Sequence, residues 1–220
     1  MVLSGFGLFR PAAVILAAVS ASYPPPKRML DKALAAALIV LLSPALIAVA
    51  LAMLADALLV PRDRGALLYR EARVSRGRTF ELLKFRTLRR DVAGEPRLAE
   101  RDAANLTWAG RRILKPWYLD ELPQLFNVLR GDISFVGPRP WAPELVQAQV
   151  AAGHDYRLHA VAGLTGAAQI TKGTGTNYAE RDLDYIEKCR TLGGWALVRY
   201  DLGILLRTLR VAARGEGLDY

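Results

Sequence analysis

From Ala33 to Ala55 the chain carries no charged residue, with Lys32 before the run and Asp56 after it. Those 23 residues, at about 1.5 Å each, would just cross a hydrocarbon core. Ser43-Pro44 stands at the middle of the run, where proline removes one helix hydrogen bond and crowds the preceding turn. Both flanks are basic, with Lys27, Arg28 and Lys32 on one side and Arg62 and Arg64 on the other. The positive-inside rule orients a span by charge asymmetry, and here there is little. Two readings stand side by side: a simple spanning helix, or a helix-break-helix that enters and leaves by the same leaflet. The matched flanks favour the second, with the Ser43 hydroxyl helping to satisfy backbone groups freed at Pro44.

The segment before it is weaker. Ala12 to Val19 is apolar but too short to span a bilayer. Arg10 precedes it and small residues follow, which also suits a signal peptide. Tyr23-Pro-Pro-Pro26 reads as a stiff spacer.

Charge narrows the partners. Among 220 residues, 30 basic side chains against 21 acidic ones leave a net charge of +9. That balance favours anions: acidic lipid headgroups, phosphorylated substrates or nucleic acid. Residues 62–90 hold ten of the basic side chains against three acids. Next to a membrane segment such a cluster attracts acidic lipid at about 1 kcal/mol per residue. Aromatic residues are sparse within it, so no nucleic-acid partner is expected. One cysteine, Cys189, excludes an internal disulfide, and His154 and His159 alone do not make a zinc site.

Along the rest of the chain, Ala66–Tyr69 and Thr79–Arg86 read as short strands around a turn at Ser75-Arg-Gly-Arg78. Residues 91–107 read as a polar, mobile loop. Tyr118 to Arg130 offers Pro123 for a helix first turn and Gly131 for its stop, so Asp120 and Glu121 fall just before the helix. Pro143–Ala152 and Asp182–Arg190 read as helices. Leu197–Ala213 sets Leu202, Leu205, Leu206, Leu209 and Val211 opposite Arg199, Arg207 and Arg210, the pattern of an amphipathic helix packed on a core or lying on lipid. The chain is expected to be α+β and mostly helical. It divides into an N-terminal extension (1–26), a re-entrant membrane hairpin (27–61) and a small cytoplasmic catalytic domain with a short β-hairpin and interfacial helices (62–220).

Two adjacent carboxylates, Asp120 and Glu121, followed some twenty residues later by Arg139 between two prolines, suit an acidic nucleophile, a divalent metal and a phosphate. Longer runs go further. Lys27-Arg-Met-Leu-Asp31, Ser43-Pro44, Lys84-Phe-Arg-Thr87, Leu119-Asp-Glu-Leu-Pro-Gln-Leu125, Gly131-Asp-Ile-Ser-Phe-Val-Gly-Pro-Arg-Pro140 and Gly163-Leu-Thr-Gly166 occur in this order. The chain resembles, over about residues 27–210, the bacterial sugar transferase family of monotopic phosphoglycosyl transferases.

The resemblance implies transfer of a sugar 1-phosphate from a UDP-sugar to polyprenol (undecaprenyl) phosphate, with release of UMP, as the first step of exopolysaccharide, O-antigen or glycoconjugate synthesis. It implies Asp120 as the nucleophile that forms a covalent phosphosugar intermediate, and Glu121 as its partner acid. Mg²⁺ would be held by Glu121 with Asp120, and phosphates or substrate by Arg139, Lys84, Arg86, Lys115 and Gln169, with Thr165 near the pocket. It also implies the cytoplasmic face of a bacterial inner membrane, contact with membrane lipids, and a homodimer or downstream glycosyltransferases as protein partners.

The chain departs from the family pattern at four places. Lys115 stands where arginine is usual, keeping charge but losing the planar fork. Tyr118 replaces a small hydroxyl residue, Val161-Ala162 replaces Arg-Pro, and the segment around Gly193-Gly194 is longer. A non-catalytic membrane scaffold is the alternative these departures raise, since Val161-Ala162 removes an expected anion contact.

Overall fold

The computed structural model describes residues 23–92, 99–171 and 177–214. The apolar stretch Ala12–Val19 and part of the 91–107 loop lie outside the described residues. Among the described residues the chain is mostly helical, with two small two-stranded sheets.

Helix α1 runs Pro25–Leu59, 35 residues. Pro25 and Pro26 therefore open a helix instead of forming the expected spacer; at first-turn positions the missing N–H costs nothing and the fixed φ suits the helix. At Ser43-Pro44, where a break is expected, helical backbone is assigned through both residues. Pro44 has no N–H for the Val40 carbonyl, and Ser43 Oγ donates to that oxygen instead, at 2.8 Å. Val40 is 73% and Leu41 72% exposed, with Ile47, Leu51, Leu58 and Leu59 similarly bare. A helix with so much uncovered apolar surface is long and apolar enough to cross a membrane, and it associates with one.

Strands β1 (Leu68–Ser75) and β2 (Arg78–Phe85) form a hairpin around the expected turn, with the first strand running on to Ser75 where Ala66–Tyr69 is expected. Its two-residue turn needs positive φ at both positions, 50° at Arg76 and 70° at Gly77. Helix α2 (Gln124–Arg130) follows Pro123 and stops at Gly131, whose φ of 88° closes the helix through bonds from its N–H to the carbonyls of Asn127 and Val128. Strands β3 (Ser134–Val136) and β4 (Gly163–Thr165) pair. Three further helices are α3 (Pro143–Ala151), α4 (Tyr178–Thr191) and α5 (Gly194–Ala213).

The chain divides into two compact units. One joins Arg28–Arg73 with Phe80–Ser134. Its core is Val49, Met53, Phe85, Ala109 and Leu114, flanked by Leu46, Leu67, Ile113, Leu119 and Leu122. Buried Asn127 ties α2 to β2 here: its Oδ1 accepts from Leu83 N at 2.9 Å and its Nδ2 donates to Glu81 O at 2.7 Å and Asp132 Oδ2 at 2.9 Å. Those three bonds fix the helix that follows the Asp120-Glu121 turn.

The other unit gathers Val74–Thr79 with the chain before Arg28 and from Phe135 onward. Its buried centre holds Lys27, which donates to Asp201 Oδ2 and, at 3.2 Å, to Val136 O. Tyr185 Oη donates within the same group, lying 2.9 Å from Val136 O and 3.0 Å from Asp201 Oδ1. Burial and the neighbouring Asp201 charge hold the Tyr185 phenol well above its ordinary pKa, so it stays a neutral hydrogen-bonding group.

Candidate active site

The Asp120-Glu121 pair sits on a chain segment whose backbone is tightly specified. Gly110–Leu114 forms a single π-type turn, closed by Lys115 N to Gly110 O at 3.0 Å. A side chain at Gly110 would put its Cβ 2.6 Å from Thr87 O, so only glycine fits. The turn delivers Lys115. Three residues on, Tyr118 adopts φ 53°, a left-handed conformation costly for a bulky side chain. The short 3₁₀ turn Leu119–Glu121 then carries both acids.

Asp120 is 3% exposed. Lys115 Nζ donates to Asp120 Oδ2 at 3.0 Å and to Glu100 Oε2 at 2.8 Å. Among the described residues no hydrogen bond falls on Asp120 Oδ1. Burial alone would lower the Lys115 pKa, but the bond to Glu100 and the charges of Asp120 and Glu100 outweigh it and hold the ammonium above its usual value. Glu121 lies beside Lys84, 3.8 Å from its Nζ, and Lys84 also faces Glu71 at 3.8 Å. Glu71 in turn accepts from Arg73. Cations and acids thus alternate along this face, with Glu121 its most open carboxylate at 36% exposure.

The predicted anion-binding residues divide. Lys84 and Lys115 join the two acids. Arg86, in the same unit, spends its guanidinium on the carbonyls of Ala66, Leu88 and Asp63 and clips the strand to the chain after α1. Arg139 and Gln169 belong to the other unit. There the Arg139 carbonyl accepts from Arg157 Nη1 at 2.9 Å. Gln169 Nε2 donates to Leu164 O at 3.3 Å, while its buried Oε1 has no hydrogen-bond partner. Thr165 Oγ1 bonds Thr208 Oγ1 at 2.9 Å. Val161 and Ala162 are buried, and Ala162 N donates to Ser75 Oγ, so these two are packing positions.

No three His, Cys, Asp or Glu side chains converge as metal ligands among the described residues. The donors still fit Mg²⁺, which takes one or two carboxylates and fills its other positions with phosphate oxygens and water. Glu121 offers a carboxylate open to solvent beside Asp120.

A family model for bacterial sugar transferases matches residues 23–215. The chain belongs to the bacterial sugar transferase family. It is 40% identical over 195 residues to a UDP-glucose:undecaprenyl-phosphate glucose-1-phosphate transferase of Caulobacter vibrioides, covering 83% of this chain and 68% of that one. It is 34% identical to an undecaprenyl-phosphate galactose phosphotransferase of Salmonella typhimurium over 72% of this chain, but only 36% of the relative's length. An exopolysaccharide production protein of Rhizobium meliloti is 31% identical over 87% of both chains. This sugar transferase thus spans about two-thirds of the first relative and little more than a third of the second.

Glu71, Arg73, Thr87 and Glu100 are the site-lining residues that sequence reasoning missed. Glu71 and Arg73 alternate on β1 within the basic run, and Lys84 answers Glu71 from the paired strand, so cross-strand pairing was the usable signal. Glu100 lies in a polar loop with no periodicity, and nothing in the sequence singled it out.

Proposed function

We propose that this chain moves a sugar 1-phosphate from a UDP-sugar to undecaprenyl phosphate, releasing UMP, and so starts assembly of a surface polysaccharide or glycoconjugate. The observation that carries the reading is Asp120: a buried carboxylate with one oxygen held by a lysine and the other accepting no hydrogen bond among the described residues, in a chain whose family model is that of bacterial sugar transferases. Asp120 Oδ1 attacks the sugar-bearing phosphorus of the donor. The bond to UMP breaks, and its electron pair leaves on the UMP phosphate. Undecaprenyl phosphate then attacks the same phosphorus, returning the carboxylate. Dividing the reaction lets one site serve two anionic substrates in turn.

Lys84 and Lys115 offset charge on the incoming phosphates. Glu121, with Asp120, would hold Mg²⁺, which when bound would supply further neutralisation of the diphosphate. For Arg139 and Gln169, in the other unit, roles in phosphate and sugar-nucleotide binding rest on their motif positions alone.

A re-entrant course for α1 is supported by its ends. Asp31 accepts from Ser134 Oγ at 2.7 Å and Asp56 from Ala109 N at 3.0 Å, and all four residues belong to one compact unit. A straight helix would set Asp31 and Asp56 about 37 Å apart, more than a hydrocarbon core. A small domain bonded to both ends stays on one side, so α1 bends at Pro44 and returns. That side is the cytoplasmic face of the inner membrane, where the nucleotide sugar is made available. Helix α5, with exposed Trp195, Leu206 and Leu209 beside its arginines, lies on lipid. A second copy of the chain and the next glycosyltransferase are the protein partners in keeping with this role.

The test is UMP release by detergent-solubilised protein given Mg²⁺, undecaprenyl phosphate and a panel of UDP-sugars. Release that depends on the carrier and disappears with Asp120→Asn supports the transferase. Folded protein that releases no UMP from any donor would leave the scaffold reading in its place.

A further inference from the structure

Lysine is an unusual choice for orienting a carboxylate with precision. Its ammonium is a point charge on a flexible four-carbon stem, without the planar fork that gives arginine its directionality. In this chain Lys115 gains a second anchor. Glu100 Oε2 accepts from Lys115 Nζ at 2.8 Å, opposite the 3.0 Å bond to Asp120. Glu100 is itself held: its Oε1 accepts from Thr87 Oγ1 at 2.6 Å. Thr87 is 4% exposed, and its carbonyl accepts from Thr107 N at 2.8 Å. The same carbonyl fixes the approach of Gly110, where the π turn leading to Lys115 begins. Both the side chain and the backbone of Lys115 are thus referred to one buried threonine.

We propose that Glu100, locked by Thr87, is a positioning residue for the transfer: it holds Lys115 so that Lys115 keeps Asp120 Oδ2 and leaves Oδ1 facing the donor phosphorus. The inference rests on the transferase reading given above. The role matters most after the first step. Once Oδ1 carries the phosphosugar, Asp120 has lost its carboxylate charge and Oδ2 is left as a neutral carbonyl, a weaker acceptor for Lys115. Glu100 still retains the ammonium, beside the phosphorus that the second substrate must attack. No further reactant is needed, since Glu100 exchanges no proton or bond in the reaction.

The experiment uses the full chain in detergent with Mg²⁺, undecaprenyl phosphate and UDP-glucose, or the best donor from the panel. Glu100→Gln and Thr87→Val are compared with Lys115→Met and with the Glu100→Gln/Lys115→Met double variant. Glu100→Gln is expected to lower kcat about tenfold with donor KM within about twofold, because a misplaced nucleophile affects the barrier and not ground-state binding. The double variant is expected to be no slower than Lys115→Met alone, since Glu100 acts through Lys115. Losses that multiply, or an unchanged kcat per folded molecule in Glu100→Gln, would overturn the proposal.

A second readout needs no turnover. At one fixed pH, acylation of lysines followed by peptide mass analysis should label Lys115 several-fold faster in Glu100→Gln and Thr87→Val, with Lys84 unchanged. Equal Lys115 labelling in all forms also overturns it. If wild-type protein is inactive with every donor, the transferase reading fails, while the labelling still decides whether Glu100 holds Lys115.

Discussion

Two buried acid–base pairs, one in each compact unit, serve opposite ends. Asp182 accepts from Arg157 Nη2 at 2.8 Å, and both side chains are nearly sealed from water. Arg157 also stacks 4.0 Å over the Trp141 ring and donates to the Arg139 carbonyl. Every arm of that guanidinium but Nε is used, and the pair joins the start of α4 to the chain after β3. Asp120 is just as buried, but its cation is a lysine, a third of it exposed and shared with Glu100. The first arrangement uses its charges to hold the chain. The second sets a shared, part-exposed cation beside an acid that follows the strained Tyr118 backbone, the setting in which reactivity is to be expected. Burial of a charge alone does not separate structure from chemistry; the cation does, a sealed guanidinium stacked on Trp141 in one pair and a part-exposed, shared lysine in the other.

The largest effect should come from asking each acid to do without its charge. Asp120→Asn keeps the shape and removes the proposed nucleophile, so carrier-dependent UMP release should fall by at least about 10³-fold while the melting temperature stays close to wild type. Intact-mass analysis should show a phosphosugar adduct in the wild type and none in the variant. The mirror experiment is Arg157→Met. It leaves Asp182 buried without its counter-ion and should destabilise the protein by about 3 kcal/mol in urea titration. If Arg157→Met instead lowered kcat at unchanged stability, the distinction between the two pairs would collapse.

What could be read in the sequence follows the same division. The hairpin, the helix after Pro123, its glycine stop and the long apolar segment were legible because each depends on neighbours a few residues apart. The Asp120-Glu121 turn was legible as a motif placed before a helix. Glu100 was not, because its contacts with Lys115 and Thr87 come from sequence-distant loops and strand ends meeting in space. Arg86 was misleading for a related reason: its motif position suggested an anion, but three carbonyls already surround it. At Pro44 local propensity predicted an interruption; helical backbone is assigned through it, with the Ser43 hydroxyl on the Val40 carbonyl that proline cannot reach.

The third expectation concerns pH and tests how the Arg157–Asp182 pair is held. Burial pushes the Asp182 carboxyl up to about 6, against the lowering effect of Arg157, from an ordinary value of 3.8. Desolvation therefore outweighs the ion pair, and the folded state binds a proton there more tightly than the unfolded chain does. The group's contribution is fully present below pH 3.8 and is lost as pH rises through 6. At about 1.4 kcal/mol per unit of pKa, the loss amounts to about 3 kcal/mol. Asp182→Asn is blind to this titration. Wild-type stability minus variant stability should thus fall by about that amount between pH 4 and pH 7, measured by urea titration. A difference that rises with pH would mean that Arg157 dominates and the pair is held by attraction after all.

The smallest effect probes the strain beside the reactive pair. Tyr118 in the left-handed region costs about 1 kcal/mol that glycine would not incur, offset in part by glycine's greater freedom in the unfolded chain. Tyr118→Gly should therefore change stability by about 1 kcal/mol or less, and in the stabilising direction if strain dominates. The consequence for catalysis is the sharper reading. The αL residue sets the angle at which the turn Leu119–Glu121 leaves Lys115, and glycine can hold that angle or relax from it. A more stable variant with a several-fold lower kcat would mean that the tyrosine enforces the turn, with strain tolerated for the placement of Asp120. A variant with unchanged kcat would mean that the bonds from Lys115 and the anchoring of α2 through Asn127 already determine where Asp120 points, leaving Tyr118 to whatever its exposed ring meets at the surface.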